Sequence, residues 1–233
     1  MSLYDRLNLT RPNRKLKVPI WERIDLTRPP KLRCQGCRSP IQRQWEFCPC
    51  CGITLSDKKS EFRRCIWVDI SGMYIEVENR EAINNLLFDA FSKIYGAFRG
   101  VDVFLTSDPP EPKEWGSNFT HVYIFADNQP VDYLGVASFK LGMVTGRAII
   151  RIDQVFYASY NASLNVNQLS NLIANTIAHE IGHTLGLDHS ALPTDVMHDG
   201  LDHIIHSSMP PSFHASQINA MNHAIRKQAD FQS

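Results

Sequence analysis

The chain has 233 residues, 43% of them hydrophobic, with 24 Lys/Arg against 24 Asp/Glu, which suits one core-bearing domain plus a small appendage. The composition is that of an ordinary soluble globular protein, and the absence of any apolar stretch near bilayer length excludes a membrane span. The neutral total hides an asymmetry: residues 1–65 hold 15 Lys/Arg against 6 Asp/Glu, net +9, and the remainder 9 against 18, net −9.

Residues 1–33 are rich in Arg, Lys and Pro with few clustered apolar positions, which predicts a basic extended or disordered arm. Leu-Thr-Arg-Pro occurs at 9–12 and again at 26–29, too few copies for a stacked repeat. Such an arm can dock on the acidic remainder of the chain, or on nucleic acid or anionic lipid. Intramolecular docking is the favoured reading, with a solvated basic tail as the bland alternative. Residues 1–17 alternate charged and polar positions without an apolar run of signal-peptide length, so a cytoplasmic protein is the default expectation.

Residues 34–60 carry Cys34, Cys37, Cys48 and Cys51, two Cys-x-x-Cys turns eased by Gly36 and Gly52. Two such turns make a tetrahedral four-sulfur site, and in a segment too small to hold a fold by burial the ion would supply the stability. The spacing resembles a zinc ribbon, with one structural zinc; disulfides are the alternative in an exported protein. Cys50 and Cys65 are left over.

Residues 61–233 are expected to form a compact domain of mixed helices and strands. Residues 66–77 have strand-like β-branched and aromatic content, interrupted at Ser71-Gly72. After Asn79 as a plausible cap, Ile83, Leu86, Leu87, Ala90, Phe91, Ile94, Tyr95 and Phe98 recur at helical spacing, predicting an amphipathic helix that ends near Gly100. Strands are expected at 101–105, 121–126, 134–140 and 147–157, with a surface loop at 108–116 and a short connection around 142–146. A helix over 166–185 follows, with Leu169, Leu172, Ile173, Ile177 and Ile181 facing the core. Ile218, Met221, Asn222 and Ile225 mark a C-terminal helix after Ser212 or Ser216.

The stretch that organises the domain is His179-Glu-Ile-Gly-His-Thr-Leu-Gly-Leu-Asp-His189. Two histidines four residues apart on a helix lie about 6 Å apart along its axis and about 40° apart around it, so both imidazoles leave one face. That suits one zinc ion. Glu180 is one residue off the ligand register and can reach a metal-activated water without competing for the metal, which makes it the candidate general base. Gly186 sits where a helix takes a left-handed terminator, and the reversal brings His189 back as a third nitrogen ligand. Three protein ligands leave one position open, the arrangement of a catalytic zinc. The competing reading is an amphipathic helix with its histidines satisfied in the core.

This pattern resembles the zinc signature of the metzincin metallopeptidases, and Ser190 directly after the third histidine is similar to the residue of the matrixin branch. The resemblance covers about residues 62–233. It implies an α+β fold: a twisted, mostly parallel sheet with an antiparallel edge strand, an active-site helix and a C-terminal helix beneath the site. It implies a zinc-dependent endopeptidase acting on protein or peptide substrates, with calcium as a further cation that such enzymes can take. Met197, eight residues beyond His189, matches the methionine that forms an apolar floor under the histidines. Segment 134–140 stands in the place of the edge strand that pairs with an extended substrate. His198-Asp199-Gly200 departs from the Tyr-Pro-containing wall of many matrixins, which leaves the shape of the specificity pocket open. Matrixins are often kept latent by a propeptide cysteine. Here only Arg33-Cys34 resembles that switch, and Cys34, Cys50 and Cys65 are its candidates against buried or ribbon-packed thiols.

His198, His203, His206 and His214 crowd a polar segment, where solvent exposure is expected in preference to a second metal. Two other function classes stand against the endopeptidase. One is an idle scaffold whose ribbon and arm recruit partners. The other resembles nucleic-acid-associated zinc proteases, which share the ribbon and the short motif but lack the extension from Gly186 to His189.

Overall fold

The computed structural model describes residues 62–73, 80–127, 129–199 and 203–232. The basic arm, with its predicted nucleic-acid contacts, the Cys34, Cys37, Cys48 and Cys51 module, Cys50 and the Asn79 cap lie outside the described residues. The elements in chain order are β1 (Arg64–Gly72), α1 (Arg80–Ala97), β2 (Val103–Thr106), α2 (Pro112–Trp115), β3 (Phe119–Phe125), β4 (Gly135–Ala137) and β5 (Arg147–Arg151). Then come α3 (Ile152–Asn161), α4 (Val166–Thr184), α5 (His203–Ser208) and α6 (Ala215–Gln232).

The five strands form one sheet in the order β2-β1-β3-β5-β4. β1 runs parallel to β2 and β3, and β3 parallel to β5. Only β4 is antiparallel, pairing Gly135, Val136 and Ala137 with Ile150, Ile149 and Ala148, and it forms the outer edge. The mostly parallel sheet with one antiparallel edge is therefore present. Because side chains alternate across a strand, Ile66, Val68, Ile70, Val122, Ile124 and Ile150 share one face and are buried in the core. Against them lie Ile83, Leu86, Ala90 and Ile94 of α1 and Leu169, Leu172, Ile173, Ile177 and Ile181 of α4. Burying each such side chain contributes about 1.5–3 kcal/mol, so α4 is held on the sheet by its full length.

Several boundaries differ from those expected, each for a physical reason. The strand predicted over 147–157 ends at Arg151, and residues from Ile152 form helix α3. Its β-branched and aromatic content imitates a strand, yet its buried positions, Ile152, Val155, Phe156 and Ser159, follow helical spacing. The 134–140 strand shortens to Gly135–Ala137. The 108–116 loop contains the single-turn α2, with Pro112 in its first turn and Trp115 buried. Tyr95 fits the helical period of the core but lies at its margin, 54% exposed, its hydroxyl donating to Leu105 O at 2.6 Å. β1 carries the irregularity expected near Ser71-Gly72, as its register with β3 shifts between Asp69 and Gly72.

α6 begins at Ala215, so Ser216 lies inside it and does not cap it. Its first turn is instead closed by Gln217, whose side chain accepts from His214 N at 2.8 Å. Met221 and Ile225 enter the core as expected, and Asn222 both accepts from Asp102 N and donates to Gly100 O. No helix among the described residues is long and apolar enough to cross a membrane.

Candidate metal centre

Helix α4 starts on a capping box: Asn165 Oδ1 accepts from Gln168 N, and Gln168 Oε1 accepts from Asn165 N, both at 3.0 Å. Two otherwise orphaned donors are satisfied there. At the other end, Leu187 N donates to Gly182 O and Gly186 N to His183 O, each at 3.0 Å. That pair of bonds is a Schellman motif, which needs a left-handed residue just past the helix; Gly186 supplies it at φ +88°. The chain reverses within five residues and returns His189 to the helix face.

The result is a compact histidine group. His183 Nε2 lies 3.0 Å from His179 Nε2 and 3.0 Å from His189 Nε2, and one ligand atom from each residue lies within 4.8 Å of the others. It is the one group of three or more metal-ligating side chains found among the described residues. His179 and His183 are buried, and His189 is exposed.

The opposite ring nitrogens decide what this arrangement can do. His179 Nδ1 lies 2.8 Å from Val196 O and His183 Nδ1 2.9 Å from Leu187 O. A carbonyl oxygen only accepts, so both Nδ1 atoms carry the proton and both Nε2 atoms present lone pairs. Burial pushes His179 down to about 4 and holds His183 below the ordinary imidazole value, so neither ring is cationic at neutral pH. Two neutral nitrogens then aim lone pairs at each other at 3.0 Å, which is repulsive unless a cation lies between them. Tetrahedral Zn–N bonds of about 2.0–2.1 Å place ligand nitrogens roughly 3.3 Å apart, close to the observed spacing. The residues fit zinc, and the Nδ1–carbonyl bonds are the outer partners that orient metal-ligating histidines.

Glu180 is buried, and desolvation pushes its carboxyl up to about 8. It sits directly beneath the edge strand. A Cβ added to Gly135 would stand 2.6 Å from Glu180 Cγ and 2.7 Å from Oε1, so the missing side chain of Gly135 is what gives the carboxylate its room.

Met197 packs against the histidine-bearing helix at Gly182. It is fully buried, and a Cβ on Gly182 would meet its sulfur at 2.5 Å. The loop that delivers it is closed by Ser190 N donating to Met197 O at 2.7 Å and by His198 Nδ1 against Ser190 O at 3.1 Å. Asp195 Oδ1 accepts from Met197 N and from Gln217 Nε2, which ties the loop to α6. One residue earlier, Val196 O is the partner of His179. Met197 and the outer partner of the first histidine therefore come from one turn.

Gly186 has a second task. Its added Cβ would stand 2.8 Å from Met143 N, and Gly142 N donates to Gly186 O at 3.0 Å while Thr145 N donates to Thr184 O at 2.7 Å. The β4–β5 connection is thus laced to the end of α4, fixing the edge strand over the site. Phe139 meets the His183 ring edge-on at 5.3 Å.

Sequence reasoning brought together His179, Glu180, His183, Gly186, His189 and Met197, and the fold gathers all of them. It missed Gly135 and Gly182. A glycine inside a strand and another inside a helix are the signals that could have found them, since each is unfavourable there without a close neighbour. The expectation of exposed histidines fails for His206, which is buried at 2% exposure, while His214 is exposed. Cys65 is fully buried in β1 and outside the histidine group, which agrees with the buried-thiol reading over the latency one.

Residues 111–190 match a family model described as Metallo-peptidase family M12B Reprolysin-like. That span runs from α2 to the residue after the third histidine, about a third of the chain. No curated protein matches the chain. Among solved structures, the chain is similar to an archaemetzincin from Methanopyrus kandleri at 13% identity and TM-score 0.41, covering 71% of this chain and 97% of that one. It is also similar to a zinc-dependent peptidase from Methanocorpusculum labreanum at 15% identity and TM-score 0.44, covering 68% and 99%. An archaemetzincin from Archaeoglobus fulgidus, complexed with malonate, matches at 17% identity and TM-score 0.38, covering 67% and 99%. The family match and the three-histidine group together support a zinc metallopeptidase.

Proposed function

We propose that this chain is a zinc-dependent endopeptidase. The carrying observation is the convergence of His179, His183 and His189 through their Nε2 atoms, two of them locked by Nδ1–carbonyl bonds, with Glu180 buried beside them. Zinc held by the three histidines would supply a Lewis acid that polarises the scissile carbonyl and acidifies water. Glu180 accepts the proton of the attacking water and returns it to the departing amine.

The substrate is read as an extended peptide laid antiparallel against the outer edge of β4, where backbone hydrogen bonds supply affinity. Val136, 48% exposed on this edge, and Phe139, 43% exposed, suggest apolar side chains in the substrate. Ser190 favours a matrixin-like branch, and its backbone helps to hold the Met197 loop closed. A second, structural zinc on Cys34, Cys37, Cys48 and Cys51 belongs to the same proposal.

Cleavage profiling of the full chain on a peptide library, with and without a chelator, tests the reading. Wild-type protein should cleave only when zinc is present. Glu180→Gln should keep its zinc and lose activity, and His179→Ala should lose both. A zinc-loaded wild-type chain that cleaves no library member would overturn the assignment.

A further inference from the structure

The second face of the sheet differs from the one under α1 and α4. Strand alternation and register place Trp67, Asp69, His121, Tyr123 and Phe125 together on it, and none of them belongs to the core. Their rings run in sequence: Trp67 stacks on His121 at 4.3 Å, His121 meets Tyr123 at 5.8 Å, and Tyr123 stacks on Phe125 at 5.5 Å. Toward the β2 edge the row continues through Phe104, which stacks with Trp115 at 5.8 Å. A half-buried aromatic band over three of the five strands, β2, β1 and β3, is the kind of surface that a further layer covers.

We propose that this aromatic face is the seat of the chain's own N-terminal segment, residues 1–61, with the cysteine-bearing stretch 34–60 laid on the rings. The place where that segment joins the domain favours it. Phe62 already has its ring 6.1 Å from Phe104 on this face, and Arg63 is pinned to Asp102 at 3.1 and 3.3 Å. The chain therefore enters β1 at the β2 side of the aromatic band. Crossing from β2 over β1 to β3 takes about 10 Å and running along β3 from His121 to Phe125 about 13 Å, a path that roughly seven extended residues span, so the stretch next to Phe62 reaches every ring without a linker.

Charge and composition agree. Residues 1–61 hold 13 Lys/Arg against 6 Asp/Glu, net +7, and residues 62–233 hold 11 against 18, net −7. The exposed acids Asp108, Glu111 and Glu114 stand in the segment that carries Trp115, at the border of the band. Within 34–60, Ile41, Trp45, Phe47, Ile53 and Leu55 are more apolar side chains than a module of that length can bury by itself. The face offers them the missing partner surface.

Photo-crosslinking in the full chain tests this. p-Benzoylphenylalanine replaces Trp67 or Phe125, and Phe88, exposed on α1, serves as the control position. Irradiation at micromolar protein followed by peptide mapping should join Trp67 or Phe125 positions to residues 34–61 of the same chain. Tethering gives an effective concentration in the millimolar range, so intramolecular product should exceed intermolecular product about a thousandfold. The Phe88 position should give none with that segment. Carboxyl–amine crosslinking of the unmodified chain is the second measurement, and it should join Lys31, Lys58 or Lys59 to Asp108, Glu111 or Glu114. Crosslinks from the aromatic face that join two copies, or that reach other parts of the chain and leave 34–61 untouched, would overturn the proposal. So would unmodified protein whose lysines of 1–61 join acids elsewhere and never that rim.

Discussion

Replacing Gly135 by alanine isolates Glu180 from the metal ligands. The three heavy atoms nearest the new Cβ all belong to Glu180: Cγ at 2.6 Å, Oε1 at 2.7 Å and Cδ at 2.9 Å. Ordinary carbon contacts begin at about 3.5–4.0 Å, so roughly 1 Å must be found. α4 cannot supply it, because nearly every side chain from Leu169 to Thr184 is buried. Strand β4 can do so only by straining the pairing of Gly135 with Ile150. The carboxylate therefore swings away, and a displacement of about 1 Å at a reacting group costs on the order of a hundredfold in rate. Peptide cleavage by Gly135→Ala should fall by about that factor while bound zinc, measured by elemental analysis, stays at the wild-type level. The same substitution in a Glu180→Gln background separates this cause from a disturbed substrate strand, since coupled sites are non-additive. Little further loss is expected there. An equal fold-loss in both backgrounds, or wild-type activity in the single variant, would refute the reasoning.

The remaining predictions concern stability and metal. In metal-free protein the Glu180 carboxyl titrates near 8 against 4.5 for the free group, so its contribution to stability is complete below 4.5 and is lost as pH climbs through 8. His179, depressed to about 4 from 6.5, acts in the opposite sense and gains stability as pH rises between those values. From 6.5 to 8, of these two, Glu180 alone acts, and stability should decline by about 1–2 kcal/mol across that window. Denaturant titrations should show Glu180→Gln removing the decline; parallel wild-type and variant curves would contradict it. Gly182→Ala drives a methyl to 2.5 Å from Met197 Sδ, and overpacking should destabilise by about 1–3 kcal/mol. In a Met197→Ala background the same change should cost much less by thermal melting. Gly186→Ala should destabilise by about 1–2 kcal/mol for its left-handed backbone alone, and the crowding against Met143 N adds to that. The full chain should hold two zinc ions, and His183→Ala should lose one together with activity.

The histidine group was readable because helical geometry and a terminating glycine settle it locally: His179 and His183 share a face by spacing, and Gly186 brings back His189 by a Schellman turn within five residues. The sheet was readable to the extent that β-branched runs mark strands, as at β1 and β3. Helix α3 was not, because Ile152, Val155, Phe156 and Tyr157 carry strand-like chemistry and only their burial follows a helical period. The spacing of the histidines in the polar segment, which fits no single helix face, predicts an exposed His206, but α5 turns it inward beside α4, whose Asn175 donates to His206 O at 2.7 Å. The same distinction explains why Gly135 and Gly182 escaped notice. Each matters for the atom that occupies the space its side chain would have filled, Glu180 in one case and Met197 in the other, and those atoms lie 45 and 15 residues away in sequence. A local pattern can show that a ligand helix exists. The close approach that places Glu180 under the edge strand and the Met197 sulfur against Gly182 is a tertiary fact, and it is carried by the residues that have no side chain to announce it.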